Sequence, residues 1–309
     1  MSDLRVGLVG CGRWGRNILR DLKALNIDVF VVDPALEARS FAEGFDVPCF
    51  LNVKDLPQVD GMIVATPAST HADVVDICLE QKVPIFVEKP FTLDIASAEK
   101  LARTAPDLLF VMHVWRYHPG VEALRDIVQT GTYGPVEWIQ SVRANWTSPR
   151  KDVDSVWTLL PHDVSMVLEV LGDLPEPISA FAEWHQDAAG QKRPAGIVAV
   201  LGNDPRVILE TSTRYGDKRR EFRVHCRDAV LDLTGTDTNC ITVCNVDEAI
   251  SASAVQHKIA ISDRPALMRE LEAFLAHLRG GPPPRSRMAD ALKITRAVVN
   301  LRELAGISV

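Results

Sequence analysis

Residues 6–15 read VGLVGCGRWG, an apolar run of strand character that ends on Gly10 and continues at once into Gly12 and Gly15. This is G-x-G-x-x-G spacing at a strand-to-helix junction, where each glycine has a physical use. Gly10 permits the tight turn, Gly12 lets the backbone approach a pyrophosphate, and Gly15 lets helix and strand pack closely, while N–H groups at the helix N-terminus face the phosphates. Arg13 and Trp14 occupy the same turn. Such a triplet alone also fits other glycine-rich turns. It gains weight from Asp33, which closes the next apolar run, DVFVVD (28–33), roughly 20 residues on, where a carboxylate can bond ribose hydroxyls.

Outward from this stretch the chain alternates strand-like runs with helical periodicity. LRVGLVG (4–10), DVFVVD (28–33), GMIVATP (61–67), PIFVEKP (84–90) and LLFVMH (108–113) are separated by helical patterns at 14–25, 35–44, 70–81 and 94–104. Near-continuous Val, Ile and Leu in such runs indicates parallel strands buried on both faces. The spacing predicts a Rossmann domain over 1–118.

From 119 the rhythm changes. A helix (119–130) and a β-like run VEWIQSVRANW (136–146) precede a second helix, expected to start at Pro161. Runs at 178–184, 196–201, 206–213, 221–226, 229–233 and 240–244 then follow one another without helices, as in a mostly antiparallel sheet. The fold class expected is α/β plus α+β, with a second domain over 119–285 built on an open sheet. Leu267, Leu271, Phe274 and Leu278 form the stripe of a helix opened by Pro265, and after GGPPPR (280–285) a terminal helix occupies 286–309.

At 309 residues, 47% hydrophobic and 24% charged, the chain is globular and long enough for two cores. No segment has the ~18 uninterrupted apolar residues of a membrane span. The N-terminus runs straight into strand pattern, so a cytoplasmic location is expected. Six scattered cysteines, at 11, 49, 78, 226, 240 and 244, predict neither a disulfide framework nor a metal site. The net charge of −7 argues against nucleic acid as partner, although 214–227 (RYGDKRREFRVHCR) is locally basic.

For the dinucleotide, Asp33 favours NAD(H), because its charge repels a 2′-phosphate. Pro34 and Ala35 supply no neighbouring cation, while Arg39 keeps NADP(H) open.

Further motifs extend the pattern: Ala65-Thr66-Pro67 with His71 beyond it, Glu88-Lys89-Pro90 after the strand PIFV, His162 after Pro161, and the closing segments DRPALMREL (263–271) and SRMADAL (286–292). With the glycine triplet, these make the chain resemble the glucose–fructose oxidoreductase, inositol dehydrogenase and MocA family over nearly its whole length. The resemblance implies that the last helix packs back on the Rossmann domain and that the open sheet mediates homo-oligomers. It also implies that Lys89 stabilises the reacting oxygen, that His162 is the general acid/base, and that Glu88 contacts the nicotinamide half of the cofactor. Thr66 and Pro67 join the cofactor-binding set, and His71 serves near it by capping or packing a helix start.

Chemistry is compatible with these roles. Lys89 lies at the carboxyl edge of the sheet, where a Lys89–Pro90 bond can be cis and fix its direction, and an ammonium there stabilises alkoxide-like charge. Histidine titrates near ~6.5, suited to proton exchange, although a first-turn histidine can also be structural. The family usually carries Asp four residues before this histidine. Here that position is Thr158, neutral and shorter, with Asp163 the adjacent carboxylate. HVWRYHP (113–119) and WTLLPHD (157–163) resemble the nucleotide-sugar and aminosugar dehydrogenase subgroup, making His113, Arg116, Tyr117, Thr158 and Asp163 candidate substrate contacts.

Arg219 and Arg220 read as guards of a sheet edge or as a sugar-phosphate contact. The function expected is hydride transfer between nicotinamide and a secondary hydroxyl or keto group of a sugar, cyclitol or nucleotide-sugar. A dinucleotide-binding sensor without turnover, or an imine or double-bond reductase, remains the alternative.

Overall fold

The computed structural model describes residues 4–146, 152–186, 190–235, 239–245 and 256–307. The chain divides into two units, Met1–Val114 with Pro265–Thr295, and Trp115–Arg264 with Arg296–Val309.

The first unit alternates β1 (Arg5–Val9), α1 (Gly15–Ala24), β2 (Asp28–Val32), α2 (Leu36–Glu43), β3 (Cys49–Phe50), β4 (Gly61–Val64), α3 (His71–Cys78), β5 (Ile85–Glu88), α4 (Ile95–Thr104) and β6 (Leu109–Met112). The strands are parallel in the order β3-β2-β1-β4-β5-β6, the Rossmann arrangement, which opens a crevice where the connections that follow β1 and β4 diverge toward opposite edges of the sheet. Leu8, Ile63 and Phe86 are buried on one side of this sheet, Met62, Ile85 and Val87 on the other.

The second unit holds α5 (Pro119–Thr130), β7 (Val136–Trp146), α6 (Ser155–Leu171), β8 (Pro177–Gln186), β9 (Lys192–Leu201), β10 (Arg206–Ser212), β11 (Arg214–Cys226), β12 (Ala229–Thr234), β13 (Cys240–Asn245) and β14 (Gln256–Ala260). Its sheet runs β14-β13-β12-β11-β7-β10-β9-β8, and only the β7–β10 pair is parallel. Two helices complete the chain, α7 (Ala266–Leu278) and α8 (Met288–Leu304).

Four features depart from expectation. The helix carrying His162 starts at Ser155, not Pro161, because the Asp154 carboxylate accepts from the N–H groups of Val156 and Trp157 at 3.0 and 3.1 Å and nucleates it earlier. Pro161 therefore lies inside the helix, where its missing N–H forgoes one main-chain bond. Second, α7 belongs to the first unit rather than to the 119–285 domain, with Leu271, Phe274 and Leu275 in the core beside Ile18 and Phe86. Third, α8 is shared, residues to Thr295 going with the first unit and those from Arg296 with the second. Fourth, β11 lies between β12 and β7, and the Arg220 carbonyl accepts from Gly235 N at 2.7 Å, so Arg220 is not on a free edge, whereas Arg219 lies beyond the β12 register, which starts at Glu221, and pairs with β7 alone.

Ion pairs anchor α6. Glu169 accepts from Arg116 Nε at 2.8 Å and from Arg125 Nη1 of α5 at 2.6 Å, the Arg116 and Glu169 side chains both being buried. Removing one partner of such a pair leaves an uncompensated buried charge. Glu169→Ala is expected to cost about 3–5 kcal/mol of stability in urea titration. A loss under about 1 kcal/mol would mean that the pair behaves as a solvated one.

Candidate functional site

The candidate residues fall in both units. In the first they gather at the carboxyl ends of β1, β2, β4 and β5. Gly10 has φ +96°, and a Cβ there would lie 2.7 Å from the Ala65 main chain. A Cβ on Gly15 would sit 2.2 Å from Gly10 O, whereas nothing lies within 4 Å of one on Gly12. The turn is thus closed beneath and open above. Helix α1 has no side-chain cap and no acidic residue in its first turn, so the positive end of its dipole meets an anion without a competing carboxylate. Arg13 and Trp14 are exposed on this open side. These features fit a dinucleotide pyrophosphate.

Asp33, buried at the end of β2, accepts from Cys11 N at 2.7 Å and from Ala35 N at 2.8 Å, which fixes the carboxylate beside the glycine turn. Arg39 donates through Nη1 to the carbonyls of Asp33 and Pro34, at 2.9 and 2.7 Å. Burial and the Asp33 charge push the Cys11 thiol up to about 11, so it is no thiolate nucleophile at neutral pH.

A second cluster joins β4 to β5. The buried His71 ring lies 2.7 Å from Pro90 O through Nδ1 and 3.0 Å from Thr66 O through Nε2. It holds the Thr66–Pro67 loop against the turn that carries Lys89, whose bond to Pro90 is cis. Trp14 Nε1 donates to Glu88 Oε1, and the Lys89 N–H donates to Glu88 Oε2 at 3.0 Å. The glycine turn and the Glu88-Lys89-Pro90 turn are therefore linked through one carboxylate.

Sequence reasoning missed Glu270. It sits on α7, fully buried, with neither carboxylate oxygen hydrogen-bonded. Burial, then the Glu88 charge, pushes its pKa well up. The available signal was an acidic residue on the apolar stripe, between Leu267 and Phe274.

In the second unit, α6 is buried from Ser155 to Val170 except at Thr158 and His162. These two are one turn apart and share a face. The Thr158 hydroxyl donates to Asp154 O at 2.9 Å. Asp163 turns inward instead, accepting from Ser141 Oγ and Arg143 Nε, each at 2.7 Å. Arg116 is engaged with Glu169, Tyr117 is buried beside it in sequence, and His113 is buried after β6 in the first unit.

Residues 4–114 match the Gfo/Idh/MocA oxidoreductase family, NAD-binding Rossmann fold. UDP-N-acetylglucosamine 3-dehydrogenase of Acidithiobacillus ferrooxidans is 31% identical, the match covering 96% of this chain and 98% of that protein. Myo-inositol 2-dehydrogenase of Thermotoga maritima is 22% identical over 91% of this chain and 90% of its own. The solved structure of the Acidithiobacillus ferrooxidans enzyme superposes with a TM-score of 0.85 and 24% identity, covering 99% of each chain.

The upward shift of Glu270 has a sign that can be tested. Its folded pKa lies above the ordinary 4.5, so its stabilising contribution is complete below that value and is lost as pH rises toward the folded pKa. Between about pH 5 and about pH 8 the parent should lose thermal stability relative to Glu270→Gln, which cannot ionise. A constant Tm difference across that range would show that Glu270 ionises as it does in the unfolded chain.

Proposed function

Because the chain belongs to the Gfo/Idh/MocA family of oxidoreductases, we propose that it is an NAD(H)-dependent dehydrogenase acting on a secondary hydroxyl of a sugar, cyclitol or nucleotide-sugar. The observation that carries this reading is the break in the burial of α6: between Ser155 and Val170 the residues that are half-buried rather than buried are a histidine and a threonine one turn apart. The two full-length relatives described above are named for a nucleotide-sugar and a cyclitol, which supports the substrate range.

When bound, NAD supplies the hydride acceptor. In this reading the Lys89 ammonium holds the substrate oxygen and stabilises the negative charge that grows on it as hydride leaves its carbon. His162 takes the hydroxyl proton, and returns it in the reverse reaction. Thr158, whose hydroxyl hydrogen is used on Asp154 O, faces substrate as an acceptor of hydrogen bonds. Asp163 keeps Arg143 in place instead of touching substrate.

The exposed apolar residues Ile178, Phe181, Trp184 and Val198 on β8 and β9 support a homo-oligomer assembled through the open sheet, with Phe181 and Val198 paired in register. Six cysteines scattered at 11, 49, 78, 226, 240 and 244, a spacing unlike a disulfide framework, support a reducing, cytoplasmic setting.

Replacing Lys89 with Met should lower kcat by roughly 10²–10³, and His162→Ala by roughly 10²–10⁴, with NAD binding and Tm near the parent values. The assay follows reduced nicotinamide on adding UDP-N-acetylglucosamine, myo-inositol and related sugars. Full turnover in either variant would remove that residue from the proton path.

Cofactor choice has its own test. Asp33 should make NAD(H) bind more tightly than NADP(H), with Arg39 Nη1 occupied by main-chain carbonyls, and Asp33→Ala should narrow the difference. Calorimetric titration showing equal or tighter NADP(H) binding by the parent would reverse the assignment.

A further inference from the structure

The side of the large sheet that faces α6 changes character along its length. Across β10, β7 and β11 the row Val207, Ile139, Val224 is apolar, and Leu209, Ser141, Phe222 nearly so. The next row in register is Thr211, Arg143, Arg220, and Asn145 follows on the same face of β7. Helix α6 crosses this polar band. Ser155 Oγ bonds Thr213 Oγ1 at 2.7 Å near the start of the helix, and Asp163 bonds Arg143 further along. Thr158 and His162 lie on the helix between these two anchors.

Arg143 is fully engaged, through Asp163 and through the Trp115 ring, 4.4 Å from its guanidinium carbon to the ring centroid. Arg220 is not. Its Nη1 donates to the carbonyls of Ala144 and Arg219, at 3.1 and 2.6 Å, which leaves the parallel Nε and Nη2 donors on the other edge of the fork. Among the described residues no carboxylate pairs with it. The guanidinium is half-buried, and burial followed by the Arg143 charge pushes its pKa down to about 10, still cationic at neutral pH but short of negative charge. Two buried polar atoms on the same face of the sheet, Asn145 Oδ1 on β7 and Thr211 Oγ1 beyond Arg143 on β10, have no hydrogen-bond partner in the structure. A desolvated cation without a counter-ion, set among orphaned polar atoms, forms a site that a polar anion completes.

Resting on the reading that the His162 site binds a sugar, we infer that Arg220 determines specificity for a phosphorylated sugar. The Nε and Nη2 edge of Arg220 bonds two phosphoryl oxygens. Residues 214–223 carry five basic side chains against two acidic ones in a protein of net charge −7, a local excess that favours a phosphoryl group over a singly charged carboxylate. The phosphoryl can belong to a monoester or to the diphosphate of a nucleotide-sugar.

Calorimetric titration in saturating NADH, where the hydroxyl form of a sugar cannot react, tests this with four probes: UDP-N-acetylglucosamine, N-acetylglucosamine 1-phosphate, glucuronate and uncharged N-acetylglucosamine. At least one phosphorylated probe should bind most tightly, and which of them does identifies diphosphate or monoester as the source. Arg220→Gln should weaken it by about 10- to 100-fold and leave the uncharged sugar unchanged. Arg220→Lys, which keeps charge but not the fork, should fall between and decides the matter if the Gln variant loses thermal stability. Arg219→Gln, whose exposed arginine pairs with Asp217 and adds only to the local field, should weaken binding far less than Arg220→Gln. The inference is overturned if neither phosphorylated probe binds, if glucuronate binds more tightly than both, or if Arg220→Gln matches the parent. Arg220-dependent binding without NAD reduction would instead sink the dehydrogenase reading alone, and turnover of a neutral sugar indifferent to Arg220 would sink this one alone.

Discussion

The close passage of Gly15 over the Gly10 carbonyl is the constraint on which the first unit depends. With 2.2 Å available to a Cβ, only glycine lets α1 start this near the end of β1. Gly10 in turn lies against Ala65 and Thr66 after β4, so the same turn sets the distance between the two strands that flank the crevice. From Thr66 the constraint passes through the His71 ring to Pro90, hence to the direction in which Lys89 leaves β5. A residue proposed to act on substrate is thus held in place through main-chain carbonyls, groups that do not change with the side chains around them.

The second unit reaches a comparable result with buried charge. Asp163 and Glu169 fasten α6, one to the sheet through Ser141 and Arg143, the other to Arg116 and to α5 through Arg125. Desolvating these ions costs several kcal/mol each, offset by multiple short hydrogen bonds to every carboxylate. Asp154 caps the helix through one oxygen and accepts from Arg302 of α8 through the other, at 2.7 Å. With both ends and the middle fixed, the half-buried pair Thr158 and His162 has little freedom to turn, a precondition for proton transfer over hydrogen-bond distances.

Features encoded by short spacing were legible in the sequence. The glycine triplet, Asp33 and the Glu88-Lys89-Pro90 turn depend on a few neighbouring residues and stand at the strand ends where their pattern puts them. Features set by competition or by distant partners were not. Pro161 is a fair helix-start signal, but the Asp154 carboxylate two turns earlier supplies bonds that outweigh one missing N–H. The apolar stripe of α7 announces a buried helix without saying which core receives it. Arg220 looks like an edge guard until strand order places β12 outside it, and two-residue β3 and the peripheral β14 carry too little pattern to stand out.

Among the described residues neither Glu270 nor Arg220 has an oppositely charged partner in ion-pair contact, and chemistry separates their fates. Glu270 can escape an apolar setting near Glu88 by keeping its proton, so its isolation is tolerable without any ligand and calls for none. An arginine has no such exit at neutral pH, because even a pKa lowered to about 10 leaves it charged. Main-chain carbonyls offset part of its desolvation, an anion would offset more, and among the described residues the chain provides none in ion-pair contact. Asp163, the nearby carboxylate, already serves Arg143. In the proposed reading, the oxygen atoms that complete the Arg220 fork belong to the phosphoryl group it binds.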